Sequence, residues 1–356
     1  MRLNKAINNS EWQLNRKVDG VNVYHLENMY RLPDFEEPSP RADIVNDRYT
    51  VLIIAYVRGD LESWDFEMPM LYLRSALWSR NSWLVNSDAI EHGVDVKLYI
   101  EDVLFEHAKD WLVEQHIDLE RDVITFSCPL IEPELRTQSY QSGRWAYWGR
   151  KMVSFWDPQL SSYERIVCCD SDTYVASPPG FRFDFFEKLE NLTDYQKTAC
   201  AHFNYGQNNN MWYDFMQSLE DRAQGYSLAD ISKILHIDFR SLSHTFLRPK
   251  GWMWSYPAKY FHESKPETVE WIRKAAMIMG WDEFVMACAY EILGVDHFYM
   301  QDEFDMTYIN CVGMTEPCIA HGRPYQSVEF RNAADEDKKS VALQVEKEWR
   351  DAIGVE

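Results

Sequence analysis

The sequence predicts an α/β fold, in which helices flank a mainly parallel sheet with some strands of mixed direction. Residues 49–56 (YTVLIIAY) form a continuous apolar run, which is typical of a strand buried on both faces of a sheet. Further β-rich segments alternate with helical segments at the spacing of βαβ units. The chain has 356 residues, 46% of them hydrophobic, and is therefore long enough to bury such a core.

The predicted elements follow one another in a regular order. After the strand at 49–56 we expect a helix near 68–84, a strand over 94–100, a helix over 104–116 and a strand over 122–126. A helix over 144–156 is stopped by Asp157-Pro158, because proline cannot continue a helix, and a strand over 165–169 follows. We also expect a strand over 251–256 and a helix over 281–293. These elements belong to one main domain.

The predicted domain organisation has three parts. Residues 1–47 are polar, include a proline-rich stretch, and form an N-terminal extension. The main domain covers 48–330, within which the polar stretch 205–247 is a candidate insertion with helical character. Residues 331–356 form a charged tail that we expect to be helical.

Charge and cysteine usage exclude several classes of function. The formal net charge of −21 repels nucleic-acid phosphates and anionic lipid surfaces, so neither is an expected partner. No apolar window of about 18 residues is present, and we expect no membrane span. Seven cysteines without a disulfide or zinc spacing favour reduced thiols, and hence a cytoplasmic protein.

The strongest chemical motif is Asp170-Ser171-Asp172, which directly follows the apolar strand at 165–169. Ligands bind beyond the carboxyl ends of strands in open α/β sheets. Two carboxylates at such an end can share a hard divalent cation, Mg²⁺ or Mn²⁺, that leaves positions for phosphate oxygens. The alternative is a turn or capping role. A second acidic pair, Asp335 and Asp337, lies in the charged tail and is interpreted as a solvated surface.

Two further segments carry candidate site residues. His321 ends a short apolar run, Gly322 lets the backbone approach a ligand closely, and Arg323 carries a positive charge suited to a diphosphate. Asp282 and Glu283 open a predicted helix, where acidic residues usually complement the helix dipole. Taken alone, each of these segments also has a purely structural explanation.

The order of four segments resembles that of GT-A-fold glycosyltransferases, and is most similar to the glycogenin-like retaining family. The segments are Lys151 with the run 163–175 that contains Asp-Ser-Asp-Thr, then 251–257, 280–283 and 321–325. The match covers roughly residues 49–325. In the last segment Arg323 stands where the family has lysine and Tyr325 where it has tryptophan, and the segment is two residues shorter.

The resemblance implies a GT-A catalytic domain with a Rossmann-like sheet, and a donor that is a nucleotide sugar, with UDP as the default nucleotide. It also implies the role of each site residue. The implied ligands of Mn²⁺ or Mg²⁺ are Asp170, Asp172 and His321. The implied catalytic carboxylates are Asp282 and Glu283. The implied donor-binding residues are Tyr56, Arg58, Lys151, Ser171, Gly251, Trp252, Gly322 and Arg323.

The expected reaction is metal-dependent transfer of a sugar to a glycan, a glycoconjugate or a protein hydroxyl. The cation, Arg323 and Lys151 would neutralise the departing diphosphate, and Asp282 would stabilise positive charge on the sugar ring. The resemblance favours retention of configuration, whereas an inverting enzyme would use Asp282 as a base. Two alternatives remain open: a sugar nucleotidyltransferase, and a catalytically inactive relative that binds carbohydrate.

Overall fold

The computed structural model describes residues 14–18, 21–24, 48–56, 67–127, 148–176, 182–191, 197–202, 227–239, 249–279, 282–299, 306–307 and 318–321. The strands are β1 Leu14–Val18, β2 Val21–Tyr24, β3 Tyr49–Ala55, β4 Asp95–Glu101, β5 Val123–Phe126, β6 Arg165–Asp170, β7 Thr173–Ala176, β8 Thr198–His202, β9 Pro249–Tyr256, β10 His297–Tyr299, β11 Met306–Thr307 and β12 Cys318–His321. The helices are α1 Glu67–Asn86, α2 Asp102–Glu114, α3 Trp148–Lys151, α4 Phe185–Glu190, α5 Leu228–Leu235, α6 Ala258–Ser264, α7 Pro266–Met279 and α8 Asp282–Glu291. Two short 3₁₀ helices cover Met152–Phe155 and Pro158–Leu160.

A seven-stranded sheet with the order β10-β8-β9-β6-β3-β4-β5 forms the centre of the fold. Strands β5, β4, β3 and β6 are parallel neighbours. Strand β9 is antiparallel to both β6 and β8, and β10 is parallel to β8. The predicted α/β class with a mainly parallel sheet of mixed direction is therefore confirmed.

The core lies on both faces of this sheet. All seven residues of β3 are buried, and alternate side chains enter two different hydrophobic clusters. Val51 and Ile53 pack with residues of α1 and α2, such as Leu73 and Leu104. Leu52, on the other face, packs with residues of α7 and α8. The apolar run that predicted β3 is thus explained by burial between two layers of helices.

The structure describes two smaller sheets in addition to the central one. Strand β7 pairs antiparallel with β12, which pairs parallel with β11, and these three strands are called the small sheet. Strands β1 and β2 form an antiparallel pair within the N-terminal extension. None of these strands was predicted, because they do not alternate with helical segments as β3, β4 and β5 do.

Within the helix predicted over 144–156, the α-helical part ends earlier than expected. Its α-helical part is Trp148–Lys151, and Met152–Phe155 continues as a 3₁₀ helix. The predicted stop at Asp157-Pro158 instead opens a second 3₁₀ turn, where the Asp157 side chain accepts a hydrogen bond from the Gln159 backbone N–H. Asp157 therefore acts as a helix cap. Residues 144–147 lie outside the described residues.

Other parts of the predicted organisation are described only in part. Within the candidate insertion 205–247 the structure describes α5, which begins with a capping box formed by Ser227 and Asp230. The charged tail 331–356 lies outside the described residues. Cys168, Cys169 and Cys288 are buried free thiols. In the part of the chain that the structure describes, we found no helix with both the length and the apolar character needed to cross a bilayer.

Candidate active site

The candidate site lies where the direction of winding of the sheet reverses. From β3 the chain passes to β4 on one side, and β6 later joins β3 on the other side. A crevice for ligands forms at the carboxyl ends of strands at such a switch point. Tyr56 follows the end of β3, and Asp170 ends β6, where it pairs in register with Ile54. Both residues were predicted site residues, and the structure places them at the same edge.

Lys151 joins three elements at this edge. Its side chain is buried, with 5% of its surface exposed, and its Nζ donates a hydrogen bond to Asp170 Oδ1 at 2.8 Å. The same Nζ lies 3.0 Å from Asp282 Oδ2 and donates to the Gly251 carbonyl oxygen at 3.0 Å. Lys151 therefore connects the end of β6, the start of α8 and strand β9. The sequence resemblance had assigned all four residues to one site, and the structure brings them together.

The charged groups in this cluster shift one another's pKa values. Burial tends to lower the pKa of Lys151, but Asp170 and Asp282, with Tyr56, raise it well above its usual value. Lys151 is therefore a permanent cation at neutral pH. Burial raises the pKa of Asp282 to about 6, against the lowering effect of Lys151, and the charges of Glu283 and Asp170 raise it further.

Gly251 is required by the close approach of Asp282. A Cβ atom built on Gly251 would lie 1.7 Å from Asp282 Oδ2 and 2.5 Å from its Cγ. Any larger residue would thus displace the carboxylate. The Gly251 backbone N–H also donates a long hydrogen bond, 3.5 Å, to Glu283 Oε1. The contact between β9 and the first turn of α8 fixes where the Asp282 carboxylate lies.

The backbone of His321 lies beside the Asp170–Asp172 turn. Strands β7 and β12 pair so that Thr173, the residue after Asp172, is opposite His321. Directly opposed residues of antiparallel strands have Cα atoms about 4.5–5.5 Å apart. Asp172 itself is 4% exposed. The side chain of His321 lies outside the described part of the chain, and its backbone lies opposite the residue that follows Asp172.

The remaining predicted site residues fall into two groups. Ser171 lies in the turn between the two aspartates and is buried. Trp252 is also buried, and its ring lies in the core with Val167 and Cys169, so the ring is not exposed to a ligand. Arg58, Gly322 and Arg323 lie outside the described residues. Among the side chains that are described, no three of the histidines, cysteines and acidic residues form a ready metal cluster.

Sequence reasoning missed Trp254 as a neighbour of the site. The Lys151 Nζ lies 5.6 Å from the centroid of the Trp254 ring, within the range of a cation–π interaction. Trp252 and Trp254 both occur in the run 251–256, and only the relative placement of β9 and α3 shows which ring faces the lysine.

Comparison with known proteins finds no matching family model and no matching curated protein. Mouse xyloside xylosyltransferase 1, in its apo form, is similar to this chain with a TM-score of 0.42 and 12% identity, over 79% of this chain and 99% of that one. The Saccharomyces cerevisiae mannosyltransferase Ktr4p is similar with a TM-score of 0.41 and 12% identity, over 75% and 74% of the two chains. Its complex with GDP gives a TM-score of 0.36 and 10% identity, over 76% and 75%. At these values the similarity decides nothing about activity, which has to be argued from the site.

We predict that Gly251→Ala destabilises the protein by about 3 kcal/mol, because the new methyl group forces Asp282 away from Lys151. Gly294→Ala is the control: its φ is +67°, but no atom lies within 4 Å of the added Cβ. Gly294→Ala should lower the free energy of unfolding by only about 1–2 kcal/mol, through backbone strain. Chemical denaturation measures the free energy of unfolding of both variants. An equal loss of stability in the two would show that Asp282 is not held against Gly251.

We predict that the free energy of unfolding falls as the pH rises from about 4 to about 6, by up to about 3 kcal/mol from Asp282 alone. The sign follows from a folded pKa of about 6 that lies above the unfolded value of 3.8, so the folded state binds more protons in this window. The Asp282→Asn variant should lack this contribution. Denaturation curves of the two proteins that stay parallel from pH 4 to pH 7 would contradict the raised pKa.

Proposed function

We propose that this chain is a metal-dependent glycosyltransferase that moves a sugar from a nucleotide-diphosphate sugar to a hydroxyl acceptor. The observation that carries this proposal is the contact of one buried ammonium, that of Lys151, with Asp170 and Asp282 at the switch point of the sheet. Such a site offers fixed charges of both signs where a ligand crevice forms. Both the leaving diphosphate and the sugar ring develop charge that these groups would stabilise.

The donor set at this edge suits a hard divalent cation. Lys151 carries one positive charge and contacts two carboxylates, so these three groups together remain negative. Asp172 and Glu283 add further carboxylates next to them in the chain. Carboxylate oxygens with imidazole suit Mn²⁺, and carboxylates with water suit Mg²⁺. We propose that Asp170, Asp172 and His321 hold the cation, which when bound supplies Lewis-acid stabilisation of the diphosphate.

Lys151 and Asp282 have separate roles in the proposed reaction. Lys151 stays charged at neutral pH and presents a fixed positive charge towards the donor. Asp282 is buried, so its charge acts in a medium of low polarity, where it stabilises positive charge on the sugar ring strongly. In a retaining reaction Asp282 keeps that role, and we favour retention because of the sequence resemblance. The acceptor in this proposal is a glycan, a glycoconjugate or a protein.

The function is tested by a screen of nucleotide sugars, UDP- and GDP-linked among them, with Mn²⁺ or Mg²⁺ present, scored by release of the nucleoside diphosphate. We predict metal-dependent release with at least one donor. Asp172→Asn should lower that release about 100-fold or more while the circular dichroism spectrum is unchanged, because a metal ligand is lost. Asp118→Asn, on a surface turn after α2, is the matched control and should keep full activity.

Two outcomes would reject the proposal. Pyrophosphate release from a nucleoside triphosphate and a sugar phosphate, without activity on any nucleotide sugar, would identify a nucleotidyltransferase. Full activity of Asp172→Asn would show that turnover does not depend on a metal ion held by Asp172.

A further inference from the structure

Helix α1 buries a stripe of polar side chains. Ser75, Ser79, Ser82 and Asn86 follow one another at intervals of four, three and four residues, and therefore lie on one face of the helix. Their exposed fractions are 1%, 0%, 0% and 7%. A helix of a globular protein normally buries an apolar stripe, and a buried polar group is costly unless it is hydrogen-bonded. The partners of this stripe therefore explain its presence.

Each member of the stripe has a hydrogen-bond partner in strand β7, and Ser82 Oγ also donates to the Ser79 carbonyl oxygen within the helix at 2.7 Å. Ser79 Oγ donates a hydrogen bond to the Thr173 carbonyl oxygen. The Val175 N–H donates to Ser82 Oγ at 2.9 Å, and Asn86 Nδ2 donates to the Val175 carbonyl oxygen at 2.8 Å. We call Ser79, Ser82 and Asn86 the edge ladder. Ser75 adds a hydrogen bond between its hydroxyl and that of Tyr174.

The edge ladder takes the place of a neighbouring strand. In the described part of the chain, β7 is the outer strand of the order β11-β12-β7. Backbone groups of successive residues in a strand point alternately to its two sides. Tyr174 pairs with Ala320 of β12, while the backbone groups of Thr173 and Val175 meet the edge ladder on the opposite side. Strand β7 is thus held along both of its edges.

Helix α1 is itself fixed to the central sheet. The buried Arg80 donates from Nε to the Val96 carbonyl oxygen of β4 at 2.9 Å, and its Nη2 lies 3.0 Å from Asp122 Oδ1, just before β5. Helix α1 therefore connects the central sheet to the small sheet. Asp170 ends a strand of the central sheet, and His321 lies in the small sheet next to the residue that follows Asp172.

We propose that Ser79, Ser82 and Asn86 are positioning residues that hold β7, and with it Asp172 and the paired strand that carries His321, in place relative to Asp170 on the central sheet. This role rests on the function proposed above, because it concerns the same cation. Among the hydrogen bonds described, β7 without the edge ladder keeps its pairing with β12, the Ser75–Tyr174 hydroxyl bond and the Thr173 hydroxyl bond to the Trp252 carbonyl oxygen, at 3.2 Å. The three ligands then lose a common geometry, and groups that orient metal ligands affect metal affinity by about 10- to 100-fold.

The test compares Ser82→Ala and Asn86→Leu with Ser87→Ala. Ser87 is also a buried serine near the end of this helix, but its hydroxyl donates to the Trp83 carbonyl oxygen in the same helix. Binding of Mn²⁺ in the presence of UDP, and in parallel of GDP, is measured by electron paramagnetic resonance, and thermal melting is recorded for each variant. We expect both ladder variants to bind Mn²⁺ about tenfold more weakly than the wild type, and Ser87→Ala to bind as the wild type does. Ser82→Thr, which keeps the hydroxyl, should restore much of the affinity lost in Ser82→Ala.

The other outcomes overturn either the positioning role alone or the proposed function together with it. Wild-type Mn²⁺ affinity in folded Ser82→Ala and Asn86→Leu overturns the positioning role and leaves the proposed function intact. The same holds if both ladder variants unfold while Ser87→Ala does not, because the edge ladder then supports the whole domain rather than the site. A wild-type protein that binds no Mn²⁺ with either nucleotide overturns the proposed function, and the positioning role with it.

Discussion

The placement of one buried ammonium group determines the rest of the site. Removing a charge from water costs several kcal/mol unless it is paired, so the Lys151 side chain can be buried only where carboxylates meet it. Those partners come from the end of β6 and the start of α8, and a carbonyl oxygen of β9 adds a third contact. These three elements must therefore pack in one relative arrangement. The requirement for glycine at 251 follows from the same arrangement, because the Asp282 carboxylate fills the space of a side chain there.

The same contacts connect stability with the proposed chemistry. A buried carboxylate whose pKa is raised to about 6 destabilises the folded protein at neutral pH compared with a neutral residue. Such a cost is expected at a functional site, where low polarity strengthens every charge interaction with a ligand. The small sheet completes this arrangement, since its strand β7 continues directly from the Asp170–Asp172 turn. Helix α1 holds that strand through hydrogen bonds from polar side chains, and in our proposal it thereby positions the residues of the site.

The sequence predicted the features that depend on local pattern. The apolar runs of β3 and β6 and the acidic pair after β6 are contiguous, and each could be recognised by itself. The contact of Lys151 with Asp282 joins distant parts of the chain, and only the resemblance to a known family suggested that they share a site. The edge ladder was missed because buried helix faces are normally sought as apolar stripes, whereas α1 uses serine and asparagine at that spacing. Strands β7, β11 and β12 were missed because they do not alternate with helices as β3, β4 and β5 do.

The proposed site binds a divalent cation through the excess carboxylate charge at the switch point. Anomalous X-ray diffraction from crystals grown with Mn²⁺ and a nucleoside diphosphate tests it most directly. We predict one anomalous peak at coordination distance, about 2.1–2.3 Å, from the carboxylates of Asp170 and Asp172 and from the imidazole of His321. A manganese peak elsewhere, with Asp170 bound only to Lys151 and the diphosphate absent from the carboxyl edge of β3 and β6, would contradict it.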